Sequence, residues 1–291
     1  MSSIANHQKS VLVTGANSGI GLATAGHLAD QGFHVYAGAR DTRTLEGLSK
    51  NLNVTPVKLD VTSKADILEV KSIIEKRGTG LFGLVNNAGI TKAGALMDVS
   101  MEDMHEQFEV NLFGVHQITQ ALFSFILQAK GRIVMMSSDS GFFATPFVGP
   151  YCSSKFALEG YSDSLRREIA PYGVKVILIE PGRIVTAIWD KGEKILTDSK
   201  YTHSMFWKEA KALGEYSIRK GKTTGLAPIE VAKSVCHVLI AANPKLRYIV
   251  AENKLEYQMI KILPDSYVDK LVMKKVQKVV KLSSAMMDQN K

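Results

Sequence analysis

The chain has 291 residues, 45% of them hydrophobic and 22% charged, with a formal charge of +8. That length can bury a full core as one large domain or two small ones, and the composition excludes a disordered or fibrous chain. Two cysteines, Cys152 and Cys236, are too few for a disulfide framework, and seven histidines without ligand spacing give no support to a metal centre.

The first residues, MSSIANHQKS, are polar and lead straight into an apolar run. There is no basic-then-apolar leader and no stretch near the ~18 apolar residues of a spanning helix, so a soluble, cytoplasmic protein is expected. Six apolar, β-branched runs follow, at Ser10–Gly15, Phe33–Gly38, Val54–Val61, Leu81–Gly89, Gly131–Ser138 and Val174–Gly182. Such runs are the signature of strands buried on both faces. Helix-patterned segments lie between them, at Gly21–Gln31, Ser63–Lys76, Met101–Ala129 and Pro150–Tyr172. The alternation predicts right-handed βαβ units, hence an α/β fold with a doubly wound parallel sheet of Rossmann type. No repeat or Pro/Gly-rich linker divides the chain. A single domain is expected, with a core over about 9–252, a helical substrate-loop region over about 187–225 and an extension over about 253–291. Ligands of such sheets bind beyond the carboxyl ends of the strands.

The first of those ends carries TGANSGIG, Thr14–Gly21. Gly15, Gly19 and Gly21 let the backbone turn sharply and approach a pyrophosphate, which then faces the free N–H groups of the next helix. Asn17, Ser18 and Ile20 complete this candidate cofactor loop. A tight turn without a ligand is the alternative reading, since glycine clusters alone are weak evidence. At the second strand end a carboxylate would accept the ribose hydroxyls of NAD, whereas Ala39 is followed by Arg40. A guanidinium suits the extra phosphate of NADP, so NADP(H) is favoured over NAD(H), with Arg43 a candidate helper. Alternatively Arg40 forms a surface ion pair with Asp41 or another nearby acid.

Tyr-x-x-x-Lys occurs three times, at Tyr151–Lys155, Tyr216–Lys220 and Tyr257–Lys261. This spacing places phenol and ammonium on one helical face. Only Tyr151 follows a hydroxyl at a strand end, Ser138, so only this pair is expected on the ligand side of the sheet. Tyr216 and Tyr257 lie outside the alternating core and read as packing or surface residues.

Together these features resemble the short-chain dehydrogenases/reductases. The resemblance covers roughly Lys9 to Val276 and adds LDVT at Leu59–Thr62, NNAG at Asn86–Gly89, VNLFG at Val110–Gly114 and PGRIVT at Pro181–Thr186. Within the family, GLFGLVNNAGI, PYCSSKFALEGYSDSLRREI and the late RYIV…LP pattern look most like the hydroxysteroid and retinol dehydrogenase branch. Arg40 departs from the NAD-type second strand frequent there, and that branch's membrane-anchoring amino terminus has no counterpart.

The resemblance implies an oxidoreductase that interconverts an alcohol with a ketone or aldehyde. Tyr151 would be the acid/base, Lys155 its tuning cation and a holder of the nicotinamide ribose, and Ser138 a donor to the substrate oxygen. Asn111 would anchor a water that passes the proton from Lys155 toward solvent. Lowering a phenol from about 10 to near neutrality requires about 4 kcal/mol. A cation about 4 Å away supplies ~1 kcal/mol in water but ~4 kcal/mol at an effective dielectric of 20, so the pocket must be partly dry. The resemblance also places Asp60 and Val61 at the adenine, Asn87, Ala88 and Gly89 at the adenosine side, and Pro181, Ile184 and Thr186 at the carboxamide. Asp60 and Thr186 are equally candidate helix caps, and Thr14 is as readily structural.

On the open side of the nicotinamide, Gly141–Pro150 and Ile188–Trp207 bring Phe142, Phe147 and Trp189 as candidate substrate contacts. Aromatic walls suit a lipophilic alcohol or ketone. The alternatives are a β-ketoacyl or small carbonyl reductase and a non-catalytic NADP(H) sensor or scaffold. Near the carboxyl end, Lys270, Lys274, Lys275, Lys278 and Lys281 oppose Val272, Met273, Val276, Val279 and Val280 across a helix. That basic amphipathic helix docks on the protein, on a second subunit or peripherally on an anionic membrane. No nucleic-acid module is present, and the resemblance implies a homo-oligomer.

Overall fold

The computed structural model describes residues 9–197 and 201–288. The readings of the amino-terminal residues 1–8, of positions 198–200 in the substrate-loop region and of the last three residues lie outside these. Seven parallel strands form one sheet among the described residues: β1 (Ser10–Thr14), β2 (His34–Ala39), β3 (Val54–Lys58), β4 (Gly83–Asn86), β5 (Arg132–Met136), β6 (Lys175–Pro181) and β7 (Arg247–Val250). Their order, β3-β2-β1-β4-β5-β6-β7, reverses direction beside β1, which makes the doubly wound topology expected of the alternation. Six of the seven are the anticipated runs. The seventh, RYIV, is a half-exposed edge strand paired to β6, too short and too wet to stand out by apolarity.

The helices are α1 (Gly19–Asp30), α2 (Glu46–Ser49), α3 (Lys64–Arg77), α4 (Met101–Phe108), α5 (Gly114–Gln128), α6 (Gly149–Ile169), α7 (Ile188–Leu196), α8 (Trp207–Thr224), α9 (Pro228–Ile240), α10 (Lys254–Ile260) and α11 (Asp265–Asp288). One buried layer joins α1 and α9 to the sheet through Ala25, Leu28, Val235 and Leu239; the opposite layer joins α3, α5 and α6 through Val70, Ile74, Ile118, Leu122 and Leu158.

One helical expectation needs correction and another is met. Met101–Ala129 is not one uninterrupted α-helix, because a π turn over Glu109–Phe113 separates α4 from α5. This segment, Met101–Gln128, is also long and apolar enough to cross a bilayer by length and composition. It is a core helix instead: Ile118, Leu122 and Ile126 are fully buried against the sheet layer. The extension past β7 folds back as α10 and α11, and α11 docks on α8 through Val276, Val279 and Val280 against Ala212, Leu213 and Tyr216. Docking on the protein body is therefore the observed arrangement, although Met273, expected in the docked stripe, is 53% exposed.

Candidate active site

The glycine turn sits at the carboxyl edge of β1 and is held by side chains of Thr14, the last residue of β1, and Asn87, the first residue after β4. Gly15 and Gly19 have φ of +66° and +53°, a region open to glycine. A Cβ on Gly21 would run into the Gly15 carbonyl oxygen, so the turn closes only with glycine there. Asn87 donates Nδ2 to the carbonyls of Thr14 (2.9 Å) and Gly15 (3.2 Å), and Thr14 Oγ1 accepts from the amides of Asn87 (3.0 Å) and Ala88 (2.9 Å). Thr14 and Asn87 thus hold the loop's shape. Asn17 and Ser18 are exposed at its rim, beside Ile20 at the start of α1, and Ser18 caps α1 with no side-chain bond. This is a cradle of small residues with free helix amides, and it fits a dinucleotide pyrophosphate.

Around the cradle the predicted cofactor residues fall at the same edge of the sheet. Thr186 lies against Gly19, where a Cβ would approach its methyl to 3.0 Å. It does not cap α7, whose cap position is Ala187. Asp60 does not cap α3 either, since Ser63 does so through its hydroxyl, and Asp60 accepts instead from the amide and hydroxyl of Thr62 (2.9 and 2.7 Å). Val61 and Ile184 are buried, Pro181 ends β6, and Gly89 lies beside the Asn111 carboxamide. Arg40 is exposed and forms no ion pair among the described residues; the partner of Asp41 is Arg43, at 2.7 Å. The surface ion pair expected as the alternative for Arg40 is made by Arg43 instead.

Ser138, at the end of β5, is 7% exposed and opens a short turn by accepting from the Ser140 amide (3.1 Å). Lys155, 6% exposed, reaches back from the second turn of α6 to donate to the Met136 carbonyl at 2.7 Å, with its Nζ 5.6 Å from the Tyr151 ring centre. Strand β5 supplies the anchor that steers the ammonium, and the turn that follows it supplies the hydroxyl. Burial is the largest influence on both groups. It raises the Tyr151 phenol above its ordinary value, with the facing Ser138 hydroxyl opposing and the Asp139 and Cys152 charges assisting. It pushes Lys155 down to about 8, against the pull of Glu159. In the protein by itself burial therefore dominates the Tyr151 phenol, and Lys155, held on the Met136 carbonyl, is not among the influences on it.

Asn111 is buried in the π turn and holds Ile90 from both sides, accepting from its amide (2.9 Å) and donating to its carbonyl (3.1 Å) and to Ser154 (3.1 Å). All its polar side-chain atoms are engaged by protein. Insertion of a π turn at this residue aims the carboxamide at the β4 loop.

The expected substrate contacts separate. Phe142 meets Tyr257 edge to face and carries Lys261 Nζ 3.9 Å above its ring. Phe147, at φ +67°, packs on the cluster between α8 and α11. Trp189 is not a free wall of the pocket: it fills the notch at Gly221 of α8, and its Nε1 donates to the Ile184 carbonyl (2.8 Å). Of the packing or surface readings made for Tyr216 and Tyr257, packing is what both show, Tyr216 in the cluster between α8 and α11 and Tyr257 against Phe142. Tyr257 comes back to the site, where its hydroxyl would meet a Cβ on Gly182 at 3.3 Å and its phenol faces Asp139. Asp139 and Tyr257 are the site residues that sequence reasoning missed. The adjacency of Asp139 to Ser138 was the available signal for the first, and nothing local signalled the second. Both cysteines are free and buried, and no metal-ligand cluster occurs among the described residues.

A glycine cradle at the first strand end and a Ser-Tyr-Lys group on the neighbouring edge define a dinucleotide-dependent oxidoreductase. The comparisons with known proteins give the family. The short chain dehydrogenase family model matches residues 9–195. An uncharacterized oxidoreductase of Escherichia coli, YbbO, is 38% identical over 91% of this chain and 94% of its own. The NADPH-dependent 3-dehydrocapnine reductase of Ornithobacterium rhinotracheale is 35% identical over 94% and 99%. The crystal structure of a short-chain dehydrogenase from Streptomyces avermitilis superimposes with a TM-score of 0.74 at 26% identity, covering 95% and 97%. The chain belongs to the short-chain dehydrogenase/reductase family and is an NAD(P)-dependent enzyme acting on CH–OH groups.

Proposed function

We propose that the protein reduces a lipophilic ketone or aldehyde to the alcohol with NADP(H), with NAD(H) as the alternative cofactor. The observation that carries this reading is the meeting of Ser138, Tyr151 and Lys155 beside the cradle, under a cover of α7, α8, α10 and α11 with aromatic contacts. The nicotinamide supplies the hydride when bound. Tyr151 gives the proton to the carbonyl oxygen, and Ser138 donates to that oxygen as charge develops. Lys155 stands one turn away to hold the ribose and Asn111 fixes the loop through Ile90.

Arg40, exposed and unpaired beside the second strand end, supports NADP(H), as does the NADPH dependence in the name of the 3-dehydrocapnine reductase. The test is NADPH oxidation with ketones of increasing chain length. Rates that rise with apolar length and vanish in Tyr151→Phe support the reading, and equal rates for short and long ketones refute it. Activity on carrier-bound β-ketoacyl chains alone would move it to the other reductase class. Arg40→Ala should weaken NADPH about tenfold or more while leaving NADH unchanged.

A homo-oligomer in the cytoplasm is part of the same proposal. Phe113 of the π turn, Leu127 of α5 and Phe156 of α6 are exposed near a groove of about 230 Å³ lined by Phe123, Tyr161 and Leu165. Light scattering on the wild type and Phe156→Glu tests it. Peripheral membrane contact is supported by exposed Leu255, Met259, Ile262 and Leu271 near the α11 lysines. Co-sedimentation with anionic vesicles, lost in Leu271→Glu, tests that contact.

A further inference from the structure

We propose that the ketone taken by this site carries a protonated amine on the carbon next to its carbonyl, recognised by the Asp139 carboxylate. This rests on the reading of the site as a reductase of lipophilic ketones and names the polar part of that substrate. Asp139 Oδ1 accepts the Ser138 hydroxyl proton at 2.8 Å, and the Ser140 hydroxyl lies 3.4 Å away. The carboxylate is therefore one hydrogen bond removed from the hydroxyl that marks the place of the substrate oxygen. The phenols of Tyr151 and Tyr257 and the thiol of Cys152 also face it.

Among the described residues no cation pairs with this carboxylate. The nearby cations are committed elsewhere: Lys261 to Glu180, Arg247 to Glu159, Asp163 and Glu180, and Lys155 to the Met136 carbonyl. Arg183 acts on Tyr257 and forms no ion pair with Asp139. An anion in this position opposes reduction, since it repels the negative charge that develops on the substrate oxygen and on the departing phenol. It also takes the Ser138 proton that the substrate oxygen needs.

A positive group on the substrate removes both conflicts. An ammonium on the carbon next to the carbonyl reaches the carboxylate by a charge-assisted hydrogen bond, and Ser138 is freed to turn its proton toward the oxygen. The electron balance is that of the parent reaction: the carbonyl carbon gains hydride, the oxygen gains the Tyr151 proton, and the amine keeps its own. The product is an amino alcohol. Phe142 and Tyr257, which meet edge to face beside Asp139, are left to the apolar chain.

The test compares 2-aminododecan-3-one with dodecan-3-one, using NADPH, in the wild type and in Asp139→Asn. In the wild type kcat/KM should favour the amino ketone about tenfold or more, the range of a hydrogen bond to a charged group. This ratio should fall toward one as pH rises through the amine's own titration. In Asp139→Asn it should be near one throughout. A wild-type ratio near or below one, or a ratio that Asp139→Asn leaves intact, overturns the proposal and leaves the reductase reading standing. Turnover of neither ketone by a protein that binds NADPH removes that reading, and the proposal with it. Should Asp139→Asn not fold, the wild-type pH series decides alone.

Discussion

At the scale of single residues, the site works through burial more than through attraction. Tyr151→Phe is expected to lower kcat by about two to four orders of magnitude, the usual worth of a positioned acid, while NADPH titration shows binding retained. Lys155 carries a testable sign. Burial holds it at about 8, below the ordinary lysine value, so its charge is complete below that pH and lost above it. Cofactor affinity should weaken as pH rises through about 8, and Lys155→Met should abolish that dependence in a fluorescence titration. Ser138, Tyr151 and Lys155 were legible because a strand end, a short loop and a helix start bring them together within one stretch of chain. Asp139 was in view yet without meaning until its neighbours were known. Tyr257 was illegible, because nothing in its own surroundings tells where a short helix after the last strand returns. The anchoring of Lys155 on the Met136 carbonyl was not legible either, because it depends on how α6 packs on β5.

At the scale of elements, the buried strands declared themselves by continuous apolar runs, and β7 did not because only its last residue is buried. The π turn was hidden too, since its residues keep a helical pattern while one extra residue enters the ladder. The glycine turn shows how local sequence becomes a binding surface. Gly21→Ala must push the Gly15 carbonyl out of the cradle. Overpacking of this kind costs about 1–3 kcal/mol. A modest fall in Tm together with loss of dinucleotide binding is expected by calorimetry; full retention of binding would show that the cradle has slack.

At the scale of the whole molecule, the extension after β7 is tied into the sheet by charge. Glu180 is fully buried in β6 and receives Lys261 from just beyond α10 at 2.7 Å, with Arg247 of β7 at 3.5 Å. Burial pushes the carboxyl above its ordinary range, and these two cations hold it back. Lys261→Met leaves Glu180 with a single, longer contact, and loss of roughly 3 kcal/mol is expected in urea denaturation. The same change should loosen α10 and with it Tyr257, so kcat/KM should fall in folded protein as well. Sequence showed that this tail was amphipathic, but not which neighbour it chose, because docking on α8 is decided by shapes contributed far away in the chain.

The excursion over 186–225 leaves and rejoins the fold at one point. Ile184 and Leu226 form a parallel bridge, with the Val185 amide bonded to the Leu226 carbonyl at 2.9 Å and the Leu226 amide to the Arg183 carbonyl at 2.9 Å. Both ends are stapled side by side, so the strands beneath register neither its length nor its content, and lengthening such a loop costs little entropy. The segment is nonetheless tied in beyond its ends, through Thr186 against Gly19 and through α8 under α11, so a change in its content reaches the cofactor cradle and the carboxyl-terminal helix together.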